Sequence, residues 1–316
     1  MPSLRQGSIP LFRLAGVSVS LHYSWFLIAI YRIQSPSVGG SYSSMVWNVF
    51  ELLALFLIVL THEFGHALAC RQVGGKADQI MLWPFGGVAY VDPPQRPGAM
   101  LWSIAAGPLV NVVLVPILYF AATAADMAGW ASTMPDLSQF MWAVSWINAS
   151  LLIFNIMPVY PLDGGQILRS LLWFIMGKAR SLMVAVVVGV IGIIGFIALA
   201  IMRQQVWFGL ISVYLLFTCW GGLQHARVLL RQAKLPRRPG FACPACKAAP
   251  PIGPYWRCGA CQQPFDTFET MGECPHCSAR FNSTMCIECH AQNPLSEWAV
   301  ATYAGAGTVN GGQLTK

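Results

Sequence analysis

The chain has 316 residues, 56% of them hydrophobic and only 10% charged, with a mean hydropathy of +0.56. Soluble globular proteins carry about 25% charged residues, so this composition excludes an ordinary soluble enzyme and points to a bilayer. The net charge of +7 does not call for nucleic acid, because membrane proteins collect lysine and arginine on their cytoplasmic loops.

A spanning helix needs about 20 mostly apolar residues. Runs of that kind predict six spans, at 14–31, 47–70, 98–125, 138–161, 182–202 and 205–224. Trp25, Trp47, Trp102, Trp142 and Trp207 fall near their ends, as interfacial aromatics do. Arg5 and Arg13 precede the first run, but no small-residue cleavage site follows it, so no signal peptide is expected. With both termini inside, the inner segments hold Arg5, Arg13, Arg71, Lys76, Arg96, Arg169, Lys178, Arg180, Arg227, Arg231, Lys234, Arg237 and Arg238. The outer segments hold only Arg32 and Arg203. This bias predicts cytoplasmic termini.

Two stretches fit neither a span nor a simple loop. Residues 79–92, QIMLWPFGGVAYVD, are too short to span and turn at Gly86-Gly87, which predicts a hairpin in or against the membrane. Residues 166–177 read as an interfacial amphipathic helix. The basic, proline-containing segment 235–242 reads as a linker between a membrane core at 1–234 and a cysteine-rich domain at 243–290. A flexible tail is expected at 291–316.

Residues 62–66, HEFGH, carry the H-E-x-x-H pattern. On a helix, positions i and i+4 share a face, so His62 and His66 can hold one metal ion while Glu63 takes a proton from a water that the metal activates. Ionisable residues within a span are costly and functional by default. Catalytic zinc usually takes three protein ligands. Among the twelve acidic residues, Asp163 alone sits at the inner end of a span, at the depth of the two histidines. Pro158 and Pro161 break the helix before it, and non-helical backbone at membrane depth implies a cavity.

Three motifs carry a resemblance to the site-2 proteases, which cleave membrane-spanning substrates within the bilayer: HEFGH at 62–66, GPLVN at 107–111 and NIMPVYPLDGG at 155–165. With PFGG at 84–87, the match extends over residues 11–230 and is similar to the compact prokaryotic branch. The resemblance implies that His62, His66 and Asp163 hold a catalytic zinc and that Glu63 is the base. It further implies that Asn155 stabilises the oxyanion and that Asn111 lines the same cavity. For the asparagines, interhelical hydrogen bonding is the competing role. The resemblance also implies that the hairpin guides an unwound substrate and that the chain sits in a prokaryotic cell (inner) membrane; the position of the site near the cytoplasmic leaflet predicts a cytosolic product. A metal transporter or sensor, or a catalytically silent scaffold, is the alternative; a transporter would repeat ligands along several spans, which this chain does not.

The pairs Cys243/Cys246, Cys258/Cys261, Cys274/Cys277 and Cys286/Cys289 suit two structural Cys₄ zinc sites on the cytoplasmic side. Sequential pairing would give two short ribbons, similar to a double zinc ribbon. The spacing leaves interleaved pairing open, and rubredoxin-like iron is the redox alternative. The segment lacks a dense basic face, which favours a protein partner over nucleic acid. The fold expected is an α-helical polytopic membrane protein with about six transmembrane helices and a membrane-associated hairpin, plus a small zinc-ribbon domain. Its partners are the lipid bilayer and a membrane-protein substrate with a transmembrane segment.

Overall fold

The computed structural model describes residues 7–34, 42–83, 86–204 and 206–300. The chain divides into two compact units, 1–229 and 230–316. In the first, strands β1 (Ser8–Leu14) and β2 (Val17–His22) precede helices α1 (Trp25–Gln34) and α2 (Val46–Gln72). Strands β3 (Lys76–Trp83) and β4 (Gly86–Asp92) follow. After them come α3 (Pro97–Met127), the short α4 (Trp130–Thr133), α5 (Pro135–Ile156), α6 (Asp163–Arg203) and α7 (Val206–Ala233).

Among the described residues, α2, α3, α5 and α6 are long and apolar enough to cross a membrane, and α7 is a further helix of 28 residues. Six spans are therefore not reproduced as such. The first expected span, 14–31, is not one helix. Residues 17–22, VSVSLH, alternate with period two and bury Val17 and Val19, so they pair as a strand. The helix beginning at Trp25 is described over ten residues, about 15 Å of rise, half the thickness of a hydrocarbon core. The expected interfacial helix and the fifth span are joined in α6, which is broken at Gly177 (φ 80°, ψ 168°). That break lies where the interfacial segment was expected to end.

The predicted hairpin is present as β3 and β4, which pair antiparallel from Lys76↔Asp92 to Trp83↔Gly86. Pro84 and Phe85, at its tip, lie outside the described residues. The hairpin is half of a four-stranded sheet in the order β1-β2-β3-β4, with β2 and β3 parallel. Val17, Val19, Ile80 and Leu82 pack against Leu52, Val59, Leu60, Ala67 and Cys70 of α2. This contact holds the sheet to the helix that carries H-E-x-x-H, and leaves β4 as an edge strand.

The second unit is built from four repeats of one turn. In each, the amide four residues after the first cysteine donates to that cysteine's carbonyl, as Lys247 N–H does to Cys243 O. The donors Lys247, Gln262, Ser278 and His290 all have φ near +60°. Strands β5 (Trp256–Arg257) and β6 (Pro264–Phe265), then β7 (Ser283–Met285) and β8 (Gln292–Pro294), form two small hairpins. Phe241, Trp256, Phe268 and Trp298 pack edge to face between them.

Two expectations for this region are corrected. Residues 235–242 are not a free linker: Arg238 N–H donates to Pro250 O, Ile252 N–H to Pro236 O, and the Arg238 guanidinium reaches Asp266 at 2.6 Å. Residues 291–300 are not part of a flexible tail either, because they supply β8 and a 3₁₀ turn at Leu295–Trp298 that buries Trp298. Residues 301–316 lie outside the described residues.

Candidate metal centre

Helix α2 presents His62, Glu63 and His66 inward, all buried. The third group arrives from a later part of the chain. Helix α5 ends at Ile156, the chain runs without helix through Pro158 and Pro161, and Asp163 opens α6. Gly164 and Gly165 allow that return, since a Cβ on Gly164 would meet Ile156 O at 2.2 Å and one on Gly165 would meet Tyr160 N at 2.5 Å.

The three candidate ligand atoms converge. His62 Nε2 lies 3.1 Å from His66 Nε2 and 3.1 Å from Asp163 Oδ2, and His66 Nε2 lies 3.4 Å from the same oxygen. Zinc bonds of about 2.0–2.2 Å in tetrahedral array place ligand atoms about 3.3–3.6 Å apart, so this triangle, slightly contracted, fits one such ion. The outer nitrogens of both rings are also engaged. His62 Nδ1 faces Asn111 Oδ1 at 2.5 Å and His66 Nδ1 faces Ser103 O at 2.9 Å. An acceptor at each Nδ1 keeps its proton there and leaves the Nε2 lone pair for a metal. Two imidazoles and one carboxylate with a fourth position open suit catalytic zinc.

Helix α3 packs directly against the pair. A Cβ at Gly107 would lie 2.3 Å from His66 Nε2 and 2.9 Å from His62 Nε2, so the metal space requires glycine there. Glu63, the candidate base, is held from the sheet: Ala89 N–H, on the β4 edge strand, donates to Glu63 Oε2 at 2.9 Å. A Cβ on Gly87 would sit 2.2 Å from Glu63 Cγ.

These groups line a cavity of about 350 Å³ that also includes Asn155, Gln166, Leu151, Phe154 and Tyr214. Asn155 thus shares the cavity with Glu63 and the ligands. Asn111 does not line it; fully buried, it stands behind His62. Sequence reasoning missed Asn148, which pairs with Asn111. A single asparagine in an apolar helix gives no sign of its partner until α3 and α5 are packed.

In the second unit the eight expected cysteines form two groups, pairing first with fourth and second with third. Cys243, Cys246, Cys286 and Cys289 make one set, and Cys258, Cys261, Cys274 and Cys277 the other. The arrangement that the spacing left open is therefore nested, neither sequential nor interleaved. Sulfur–sulfur separations of 3.6–3.7 Å match the edge of a tetrahedron with Zn–S bonds of about 2.3 Å, about 3.8 Å.

Comparison with known proteins finds zinc metalloproteases among the similar chains. The model of peptidase family M50 matches residues 50–134 and 124–199, which contain all three candidate ligands and Glu63. A zinc metalloprotease of Methanocaldococcus jannaschii is 29% identical over 224 residues, 70% of this chain and 61% of that protein. Stage IV sporulation protein FB of Bacillus subtilis is 33% identical over 121 residues, 37% of this chain and 38% of that protein. This chain thus spans less than two thirds of the length of either relative. The solved structure of the site-2 protease from M. jannaschii superposes with a TM-score of 0.50 at 26% identity, covering 68% of this chain and 95% of that one.

Proposed function

We propose that the chain, similar to peptidase family M50 and to a site-2 protease of known structure, is an intramembrane zinc metalloprotease. Its substrates are membrane proteins, cut within or near a transmembrane segment in regulated intramembrane proteolysis. The observation that carries this reading is the meeting of His62, His66 and Asp163 beside Glu63 in one cavity.

His62, His66 and Asp163 would hold the zinc, which when bound supplies Lewis-acid polarisation of a carbonyl and a lowered pKa for water. Glu63 takes the proton of the attacking water on the oxygen that Ala89 does not engage and returns it to the leaving nitrogen. Its other oxygen, fixed by the Ala89 amide, keeps the carboxylate aimed. The Asn155 side-chain amide is suited to donate to the oxygen that gains charge at the scissile carbonyl. A substrate helix hides its peptide bonds and must be extended before attack. The β4 edge strand beside Glu63 is suited to guide such an extended segment.

The basic-residue bias supports cytoplasmic termini in a prokaryotic cell membrane, with the product released to the cytosol. The two cysteine sets would hold one structural zinc each, making three zincs per chain. The test is metal content and cleavage measured together. Glu63→Gln should keep all three zincs and lose about 10²–10⁴-fold in cleavage of a membrane-embedded reporter. Undiminished cleavage by that variant would sink the mechanism.

A further inference from the structure

His62 is backed by more than one amide. Asn111 Oδ1 meets His62 Nδ1; the Asn111 amide nitrogen in turn donates to Asn148 Oδ1 at 2.8 Å, and the Asn148 amide nitrogen donates to the main-chain carbonyl of Asn111 at 3.1 Å. Both asparagines are fully buried, on α3 and α5.

The two ends of an asparagine amide are nearly equal in shape and opposite in hydrogen-bonding sense. With its oxygen toward His62, Asn111 keeps the proton on Nδ1. Turned over, it would present N–H to Nδ1 and force the proton onto Nε2, the atom 3.1 Å from both His66 Nε2 and Asp163 Oδ2. Asn111 has no means of choosing by itself. Asn148 chooses for it, because its oxygen accepts only from the nitrogen end of Asn111. Asn148 is itself set by a main-chain carbonyl, a group whose polarity cannot reverse. The series therefore runs from a fixed backbone acceptor through two amides to one ring nitrogen.

We propose that Asn148 is a positioning residue of the metal centre: by fixing the orientation of the Asn111 amide, it holds His62 as the Nδ1–H tautomer with Nε2 turned to the metal. The proposal rests on His62 being a ligand, and a His62→Ala chain tests that separately by losing its core metal. If the His62→Ala chain keeps that metal, the ligand assignment fails whatever Asn148 does.

The experiment uses the full chain in detergent. The tautomer of His62 is read by nitrogen-15 NMR of the metal-free protein. Affinity at the core site is read by cobalt absorption, which separates it from the thiolate sites. Asn148→Ala should populate the Nε2–H tautomer and weaken core metal binding by about 10–100-fold, the usual cost of removing a group that orients a ligand. Asn111→Asp has two accepting oxygens and no wrong end, so in that background Asn148→Ala should leave tautomer and affinity at the level of Asn111→Asp alone. Should Asn148→Ala fail to fold, restoration of folding and metal by Asn111→Asp supports the proposal equally. An unchanged tautomer and affinity in Asn148→Ala overturns it. So does an equal loss in both backgrounds, which would make Asn148 a packing residue only.

Discussion

Around the metal centre, two glycines mark how little room the reacting groups have, and their substitutions separate the metal from the base. Carbon atoms in contact rest about 3.5–4.0 Å apart, whereas a Cβ on Gly87 would stand 2.2 Å from Glu63 Cγ. Gly87→Ala should therefore displace the carboxylate and leave the ligands in place. Cleavage should fall by at least about 10²-fold, the lower range for a lost general base, with core zinc retained in the metal assay. Gly107→Ala intrudes on His66 Nε2 at 2.3 Å instead, and it should lose core zinc outright. The same outcome from both variants would contradict the division between a metal side on α3 and a base side on the sheet.

Among the elements, α6 offers a test of its own. Gly177 has φ 80° and nothing within 4 Å of where a Cβ would stand, so its requirement for glycine is purely conformational. Gly177→Ala should cost about 1–3 kcal/mol through backbone strain, lowering the midpoint of thermal unfolding in detergent. Gly195, on the same helix and also with nothing within 4 Å of where a Cβ would stand, is in ordinary helix, so Gly195→Ala should stabilise by up to about 1 kcal/mol of helix propensity and raise the midpoint.

The break at Gly177 was legible as the end of an amphipathic stretch, and α2, α3 and α5 were legible as long apolar runs. Strand β2 was not, because VSVSLH continues into the apolar residues of α1 and its period of two spans only six positions. His62, His66 and Asp163 were legible because the i, i+4 spacing and membrane depth restrict the choice. The link from Asn111 to Asn148 crosses 37 residues and depends on helix packing that no local pattern encodes. The cysteine spacing announced the ligands, but it is equally compatible with sequential and nested pairing. Aromatic packing and the closure of residues 235–242 and 291–300 onto the rest of the second unit distinguish the two.

For the molecule as a whole, metal counts follow from the nested pairing. Cys243→Ser combined with Cys289→Ser strikes a single set and should remove one zinc of three, whereas sequential sites would lose two. Cys243→Ser with Cys261→Ser should remove two, because these residues belong to different sets. Nesting also imposes an order of assembly. Cys261 and Cys274 are 13 residues apart, but Cys246 and Cys286 are 40 apart, and the longer closure costs roughly 1 kcal/mol more in chain entropy. The inner site should therefore fill first when metal is returned to a stripped chain, drawing the ends of the outer set together. Cys258→Ser should then weaken loading of the outer set, while Cys243→Ser leaves the inner one unaffected. The domain would load from its centre outward, and a chelator would open it from the rim.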